Sequence, residues 1–115
     1  MKLLLKVLLF VLIFPHYSCK KISSGTPKCI KELIRKEKKT ECLKEVYSYN
    51  YMGKNVYYFI PEQNCADFCW SLIDENCNVL TDKNGNTICQ CNFGQVVNCD
   101  DFIQNRTNEK LIWRK

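Results

Sequence analysis

The sequence predicts a small α+β domain in which an N-terminal helix packs on an antiparallel β-sheet of four to five strands, stapled by disulfides. The chain has 115 residues and nine cysteines, a combination typical of small domains that need covalent staples. An early segment carries apolar residues at helical spacing, whereas later segments alternate aromatic and polar residues as strands do. Turn residues separate those later segments.

The helix is predicted over residues 27–39. Thr26 offers a hydroxyl at the N-cap, and Pro27 has the fixed φ that suits a first helical position. Ile30, Leu33 and Ile34 then fall on one face. We expect this face to cover the sheet.

A β-hairpin follows the helix. Val46–Tyr51 and Val56–Ile60 are rich in residues that favour strands, and the segment between them has turn chemistry. Alternate tyrosines of the first strand share one sheet face, which we expect to lie buried under the helix: Tyr47, Tyr49 and Tyr51. Tyr58 is then a candidate for the opposite, outward face. The alternative is an open aromatic platform for a glycan or a peptide.

Shorter strands complete the predicted sheet. Ser71–Asp74 pairs with Cys77–Leu80, and Thr87–Cys91 returns after an Asn-Gly turn within Asp82–Asn86. Leu111–Trp113 closes the sheet. The Asp82–Asn86 segment has part of a calcium-loop pattern, but its glycine comes fourth and no distal Glu follows, which favours a plain turn.

The start of the chain has the features of an export signal. Lys2 and Lys6 precede the apolar run Val7–Phe14, which is too short to span a bilayer, and Ser18 and Cys19 follow it. Export exposes the cysteines to an oxidising compartment. We therefore predict four disulfides among the eight cysteines after Cys19, which are Cys29, Cys42, Cys65, Cys69, Cys77, Cys89, Cys91 and Cys99.

The pairing of these cysteines is only partly constrained by their spacing. Cys89 and Cys91 are expected to have different partners, and Cys65 is assigned to Cys77 because both flank the same short strand pair. Cys19 is the odd cysteine, so it is either removed with the signal or chemically modified.

Charge and composition exclude several function classes. The net charge is +5, but acidic residues interleave with the basic ones, which argues against a nucleic-acid partner. The one histidine, His16, lies in the signal, so the mature domain lacks the usual proton shuttle and zinc ligand. We expect no enzymatic activity, no catalytic residue, no metal site and no cofactor.

Two parts of the chain resemble a small lipoprotein domain family of Bacteroidota whose function is unknown. The start ends in Ser18-Cys19-Lys20-Lys21, as lipoprotein signals of that phylum do. The matching segments of the domain are Cys29–Lys31, Tyr51–Tyr58, Cys65–Asp67, Asp74–Asn78 and the closing Leu111-Ile112-Trp113. The resemblance implies a lipid on Cys19 as the first mature residue.

These observations give one organisation for the chain. Residues 1–18 are a lipoprotein-type signal peptide, 19–26 a flexible tether and 27–115 a single small disulfide-rich domain. We expect an exported protein of the cell envelope, held on a periplasmic or outer-membrane surface by lipid on Cys19. Its expected role is non-enzymatic binding or structural support, with an unknown extracellular or periplasmic ligand. The alternative is a secreted, disulfide-rich protease inhibitor.

Overall fold

A computed structural model of the protein describes residues 21–115. The predicted signal peptide and Cys19 lie outside the described residues. Two helices, α1 and α2, and six strands, β1 to β6, follow one another in this order: α1 Lys28–Glu37, β1 Leu43–Tyr51, β2 Lys54–Pro61, β3 Ile73–Asp74, β4 Gln90–Asn92, β5 Gln95–Val97, α2 Asp100–Asn105 and β6 Thr107–Arg114. A 3₁₀ turn at Lys38–Thr40 extends α1.

Helix α1 lies within the predicted range and buries the predicted face. Ile30 and Ile34 are fully buried, and Leu33 packs against the same core. The prediction for its first turn is wrong, because Pro27 precedes the helix and no side chain caps it. The Thr26 hydroxyl instead donates a hydrogen bond to the Ser23 carbonyl at 2.6 Å.

The β1–β2 hairpin is confirmed, with strands longer than predicted. A two-residue turn, Met52 and Gly53, has positive φ at both positions, the geometry that matches the twist of paired strands. β3 pairs with β2, and β6 pairs with β1, so the sheet order is β3-β2-β1-β6 with all pairs antiparallel. Leu111–Trp113 lies inside β6, as predicted.

The segment after β2 differs most from the prediction. The predicted strand Ser71–Asp74 is reduced to the two residues of β3. The predicted strand Cys77–Leu80 contributes only an isolated bridge, between Val79 and Ile73. Thr87 forms a second isolated bridge, with Thr81. β4 and β5 form a separate two-stranded sheet. Neither β5 nor α2 was predicted.

The sheet separates two cores. The helix-face core joins α1 to one face, through residues such as Val46, Tyr57, Phe59 and Trp113. The tyrosine-face core contains Tyr49, Tyr51 and Phe102 of α2. The tyrosines are buried, as predicted, but their predicted contact with α1 is wrong. α1 covers the Val46 face of β1, and the tyrosines point to the other face.

Tyr58 also lies on the tyrosine face rather than opposite it. It pairs with Tyr47 across the hairpin, and directly opposed residues share a face. Its ring centroid lies 5.6 Å from that of Phe102. The neighbouring Tyr57 is the one that joins the helix-face core.

The described part of the predicted tether, residues 21–26, is held against the sheet. The Ser23 amide donates to the Ile112 carbonyl of β6 at 2.9 Å. Ile22 packs against the helix-face core, and Thr26 is buried. The flexibility predicted for 19–26 therefore does not extend to Ser23.

Candidate functional site

The most exposed aromatic side chain of the described residues lies at the tip of the β4–β5 hairpin. Phe93 is 98% exposed. Asn92 pairs with Gln95, so only Phe93 and Gly94 form the turn, with φ of 48° and 80°. Positive φ at both positions favours Asn and Gly, and a phenylalanine there is strained. Phe93 thus gains no burial and occupies an unfavourable backbone conformation.

Covalent bridges hold this hairpin in place. Cys91 of β4 is bonded to Cys69, and Cys89 just before β4 is bonded to Cys99. Gly94 lies so close to the preceding loop that a Cβ there would clash with the Ala66 carbonyl oxygen. The tip is therefore braced on both sides of Phe93.

A second aromatic side chain, Phe68, lies beside this tip. Phe68 is next to Asp67, whose Cα is within 3.1 Å of the position of a Cβ on Gly94. The Cα atoms of Phe68 and Phe93 are therefore within roughly 12 Å of each other, since consecutive Cα atoms are about 3.8 Å apart. Phe68 is 42% exposed. We call Phe68 and Phe93 the aromatic tip.

Phe68 of the aromatic tip is connected to the core through neighbouring rings that meet at a tilt. The ring centroids of Phe68 and Trp70 are 6.1 Å apart, and those of Trp70 and Phe59 are 6.0 Å apart. Phe59 is buried in the helix-face core. The loop that carries Phe68 is thus fixed by packing as well as by the Cys69–Cys91 bridge, which presents the tip as a preformed surface.

The backbone at the tip does not suit a protease-inhibiting loop. A peptide recognised in a cleft as an added strand is extended over several residues. Phe93 instead sits in a two-residue turn with a left-handed φ. The protease-inhibitor alternative therefore gains no support from this hairpin.

The predicted tyrosine platform is not open to solvent. Phe102 of α2 receives Tyr49 and Tyr51 edge-on, with ring centroids 5.4 and 5.2 Å away. The Arg106 guanidinium lies 4.7 Å from the centroid of the Tyr49 ring, a favourable cation–π distance. Phe102 and Arg106 occupy the face that a glycan or a peptide would need.

Each tyrosine of the predicted row donates its hydroxyl to a carboxylate. Tyr47 bonds Glu45 at 2.7 Å, Tyr49 bonds Glu109 at 2.6 Å, and Tyr51 bonds Asp101. Burial, and then the hydrogen bond to Asp101, raises the pKa of Tyr51 to about 12. The pKa of Tyr49 is raised by burial and by its bond to Glu109. These phenols stay neutral and act as structural donors.

Glu45, near the start of β1, has a second hydrogen-bond partner, the cation Arg114. The Arg114 guanidinium donates to Glu45 Oε2 at 2.7 Å and to the Tyr47 hydroxyl at 3.3 Å. The bonds from Tyr47 and Arg114 lower the pKa of the Glu45 carboxyl. This group joins β1 to β6 at the end of the sheet.

Two loops have the same hydrogen-bond geometry. Asp82 Oδ1 accepts the amides of Asn84 and Asn86, and the pKa of Asp82 is lowered, first by the Asn86 amide. Asp74 Oδ1 accepts the amides two and four residues after it in the same way. The segment with part of a calcium-loop pattern is thus a turn whose aspartate binds its own backbone.

The hollow beside this turn offers no clear chemistry. It has a volume of about 320 Å³ and lies between Tyr51, Met52, Asp82 and Asp101. Both carboxylates already accept hydrogen bonds from within the fold. Among residues 21–115, no group of three or more His, Cys, Asp or Glu side chains is placed to hold a metal ion.

All eight predicted cysteines form disulfides. The pairs are Cys29–Cys77, Cys42–Cys65, Cys69–Cys91 and Cys89–Cys99. Cys89 and Cys91 have different partners, as predicted, but the predicted Cys65–Cys77 pair is wrong. Cys77 instead bonds to α1, and Cys65 to the residue just before β1, because the loop after β2 returns to that end of the sheet.

The predicted lipidation residue, Cys19, lies outside the described part of the chain. Within that part, no helix combines the length and apolar character needed to cross a membrane. The aromatic tip was not found from the sequence, although Phe93-Gly94 between two cysteine-bearing segments is a turn signal that could have indicated it.

Comparison with known proteins gives one family. The sequence model of a family described as a domain of unknown function, DUF6970, matches residues 32–115. No curated protein and no solved structure matches the chain.

Proposed function

The chain belongs to the DUF6970 family, and we propose that it is an exported, lipid-anchored protein of the cell envelope that binds a partner without catalysing a reaction. As part of the proposal, the protein is a lipoprotein of the kind found in Bacteroidota, whose signals the start of the chain resembles. The four disulfides support export, because such bonds persist in oxidising compartments. They suggest an extracellular or exported protein.

The anchor is proposed from the sequence of the start and from cysteine parity. The eight cysteines after Cys19 all pair with one another. Cys19 therefore has no disulfide partner left within the domain, and it follows directly after the apolar run of the signal. A lipid on its thiol gives this cysteine a role.

The binding role rests on one observation, the exposure of Phe93. A phenylalanine that is 98% exposed adds nothing to the core, so packing does not explain an aromatic side chain at this position. Local rules are broken in this way chiefly where function requires it. Aromatic side chains, Phe among them, are also enriched at protein interfaces relative to the rest of the surface.

Replacing Cys19 tests the anchor. When the membranes are washed with concentrated salt, which removes proteins held by charge alone, the Cys19→Ser variant should be released into the soluble fraction. A variant that remains in the salt-washed membranes would contradict the proposed anchor. Phe93→Ser, which leaves the signal untouched, is the matched control and should remain in the membrane fraction.

Site-specific cross-linking in cells tests the binding role. A photoreactive residue at position 93 should give a discrete cross-linked product. The matched control is Val79, a 53% exposed apolar residue outside the β4–β5 hairpin, which should give none. Equal products at both positions, or none at position 93, would contradict a partner site at the tip.

A further inference from the structure

Acidic and basic residues interleave along the chain, but the net charge is unevenly distributed between its two parts. Residues 20–41 contain eight Lys or Arg and three Glu, a net charge of +5. Residues 42–115 contain seven basic and nine acidic residues, a net charge of −2. The positive charge therefore belongs to the segment that begins beside Cys19 and ends just after α1.

Part of this positive charge lies on the outer face of α1. Ile30 and Ile34 point into the helix-face core. At 3.6 residues per turn, the opposite face carries three exposed cations, Lys28, Arg35 and Lys36, and one exposed anion, Glu32. Lys28 and Glu32 lie 4.0 Å apart with both side chains well exposed, so their pairing is weak. We call these three cations the basic face.

The contacts of Ile22 and Ser23 limit the distance between the folded domain and an anchor at Cys19. The Ser23 amide is bonded to Ile112, and Ile22 packs against the core. Four residue steps separate Cys19 from Ser23, which span at most about 14 Å. The folded domain therefore cannot stand far from a membrane that holds Cys19.

We infer that the basic face of α1 is a second membrane contact, which binds the headgroups of anionic phospholipids. This inference rests on the proposed anchor at Cys19. Basic residues within a Debye length of an anionic surface, about 8 Å at physiological salt, are attracted to it. A lipid chain combined with such a basic patch gives stable attachment where one chain alone does not. The net-negative remainder of the domain is repelled by the same surface, which orients the molecule.

Lysine labelling of the intact protein in vesicles tests the orientation. In vesicles that contain phosphatidylglycerol, Lys28 and Lys36 should react with an amine reagent at least about threefold more slowly than in pure phosphatidylcholine, because headgroups cover them. Lys54 and Lys83 are also exposed but lie outside the basic face, and their labelling should not change. Equal labelling of all four lysines in both lipids would overturn the inference.

Charge reversal gives the matched variants. In the Cys19→Ser protein, which has no acyl chain, Arg35→Glu with Lys36→Glu should weaken binding to phosphatidylglycerol vesicles on the order of tenfold or more at low salt. Lys54→Glu with Lys83→Glu changes the net charge equally and should have a much smaller effect. Equal losses would indicate net charge alone and overturn the basic face.

The two proposals fail in different ways. If the native protein carries no lipid, it will dissociate from phosphatidylcholine vesicles, and this result would contradict the proposed anchor. The basic face is then still decided by the Cys19→Ser protein. Its binding to anionic vesicles supports the inference, and no preference for phosphatidylglycerol over phosphatidylcholine overturns it.

Discussion

The amide of Ser23 donates a hydrogen bond of 2.9 Å to the carbonyl of Ile112, which ties the segment before α1 to edge strand β6. Thr26 supports this contact, since it is 6% exposed and its hydroxyl bonds the Ser23 carbonyl at 2.6 Å. The segment before α1 thereby covers part of the sheet edge, a common protection of edge strands.

Hydrogen exchange should detect this contact. The Ser23 amide should exchange much more slowly than the amide of the exposed Ser24, because only an opening of the segment frees it. Thr26→Val removes the supporting hydroxyl and should speed exchange at Ser23. Exchange at Ser23 as fast as in an unfolded peptide would show that the segment is not docked.

Truncation of Phe102 in α2 should destabilise the fold far more than truncation of Phe93 in the β4–β5 hairpin. Phe102 is fully buried against three tyrosine rings, so Phe102→Ala should lower the free energy of unfolding by ~3–5 kcal/mol. Phe93→Ala should change it by less than ~0.5 kcal/mol, because the side chain is exposed. Urea unfolding measures both. A large loss for Phe93→Ala would place that ring in a packing role.

Two glycines with similar φ provide a test of the braced tip. Gly53 has φ of 70° and nothing within 4 Å of a Cβ, whereas Gly94 has φ of 80° and would clash with the Ala66 carbonyl. Gly53→Ala should cost about 1 kcal/mol through its backbone conformation alone. Gly94→Ala should cost clearly more, as measured by urea midpoints. Equal losses would mean that the tip does not contact the 66–67 loop.

The buried tyrosines should make the fold sensitive to alkaline pH. Tyr51 has a pKa of about 12 in the fold, against 10.0 in an exposed tyrosine, because burial and the bond to Asp101 favour the neutral phenol. This contribution to stability is complete below pH 10 and is lost as the pH rises from 10 to about 12. Unfolding midpoints across that range should fall, and fall less in Tyr51→Phe. No fall at all would contradict the buried bond.

Local pattern was sufficient to predict part of the fold. Ile30 and Ile34 recur at helical spacing, and Gly53 marks the turn of a strongly β-forming segment, so α1 and the main hairpin could be predicted from near neighbours in sequence. The order of β6 beside β1 could not, since that pairing joins residues about sixty positions apart and depends on the whole fold.

Neither the cover of the tyrosine face nor the bridges that brace the aromatic tip could be predicted from the sequence. β1 is apolar on both faces, with Val46 on one and Tyr49 on the other, and only one helix was visible to cover them. α2 is six residues long, too short to show helical periodicity. Eight cysteines also allow 105 pairings, which spacing alone does not resolve. The bridges that hold Phe93 in place were therefore outside the reach of sequence patterns.

The mass of the intact protein from the membrane fraction, measured before and after reduction, tests the central claim most directly. The account predicts the mass of residues 19–115 plus a lipid, and a gain of two hydrogens for each of the four disulfides on reduction. A chain that keeps residues 1–18, or one that begins at or after Cys19 without added lipid, would contradict the anchor. No gain of hydrogen on reduction would contradict the stapled domain.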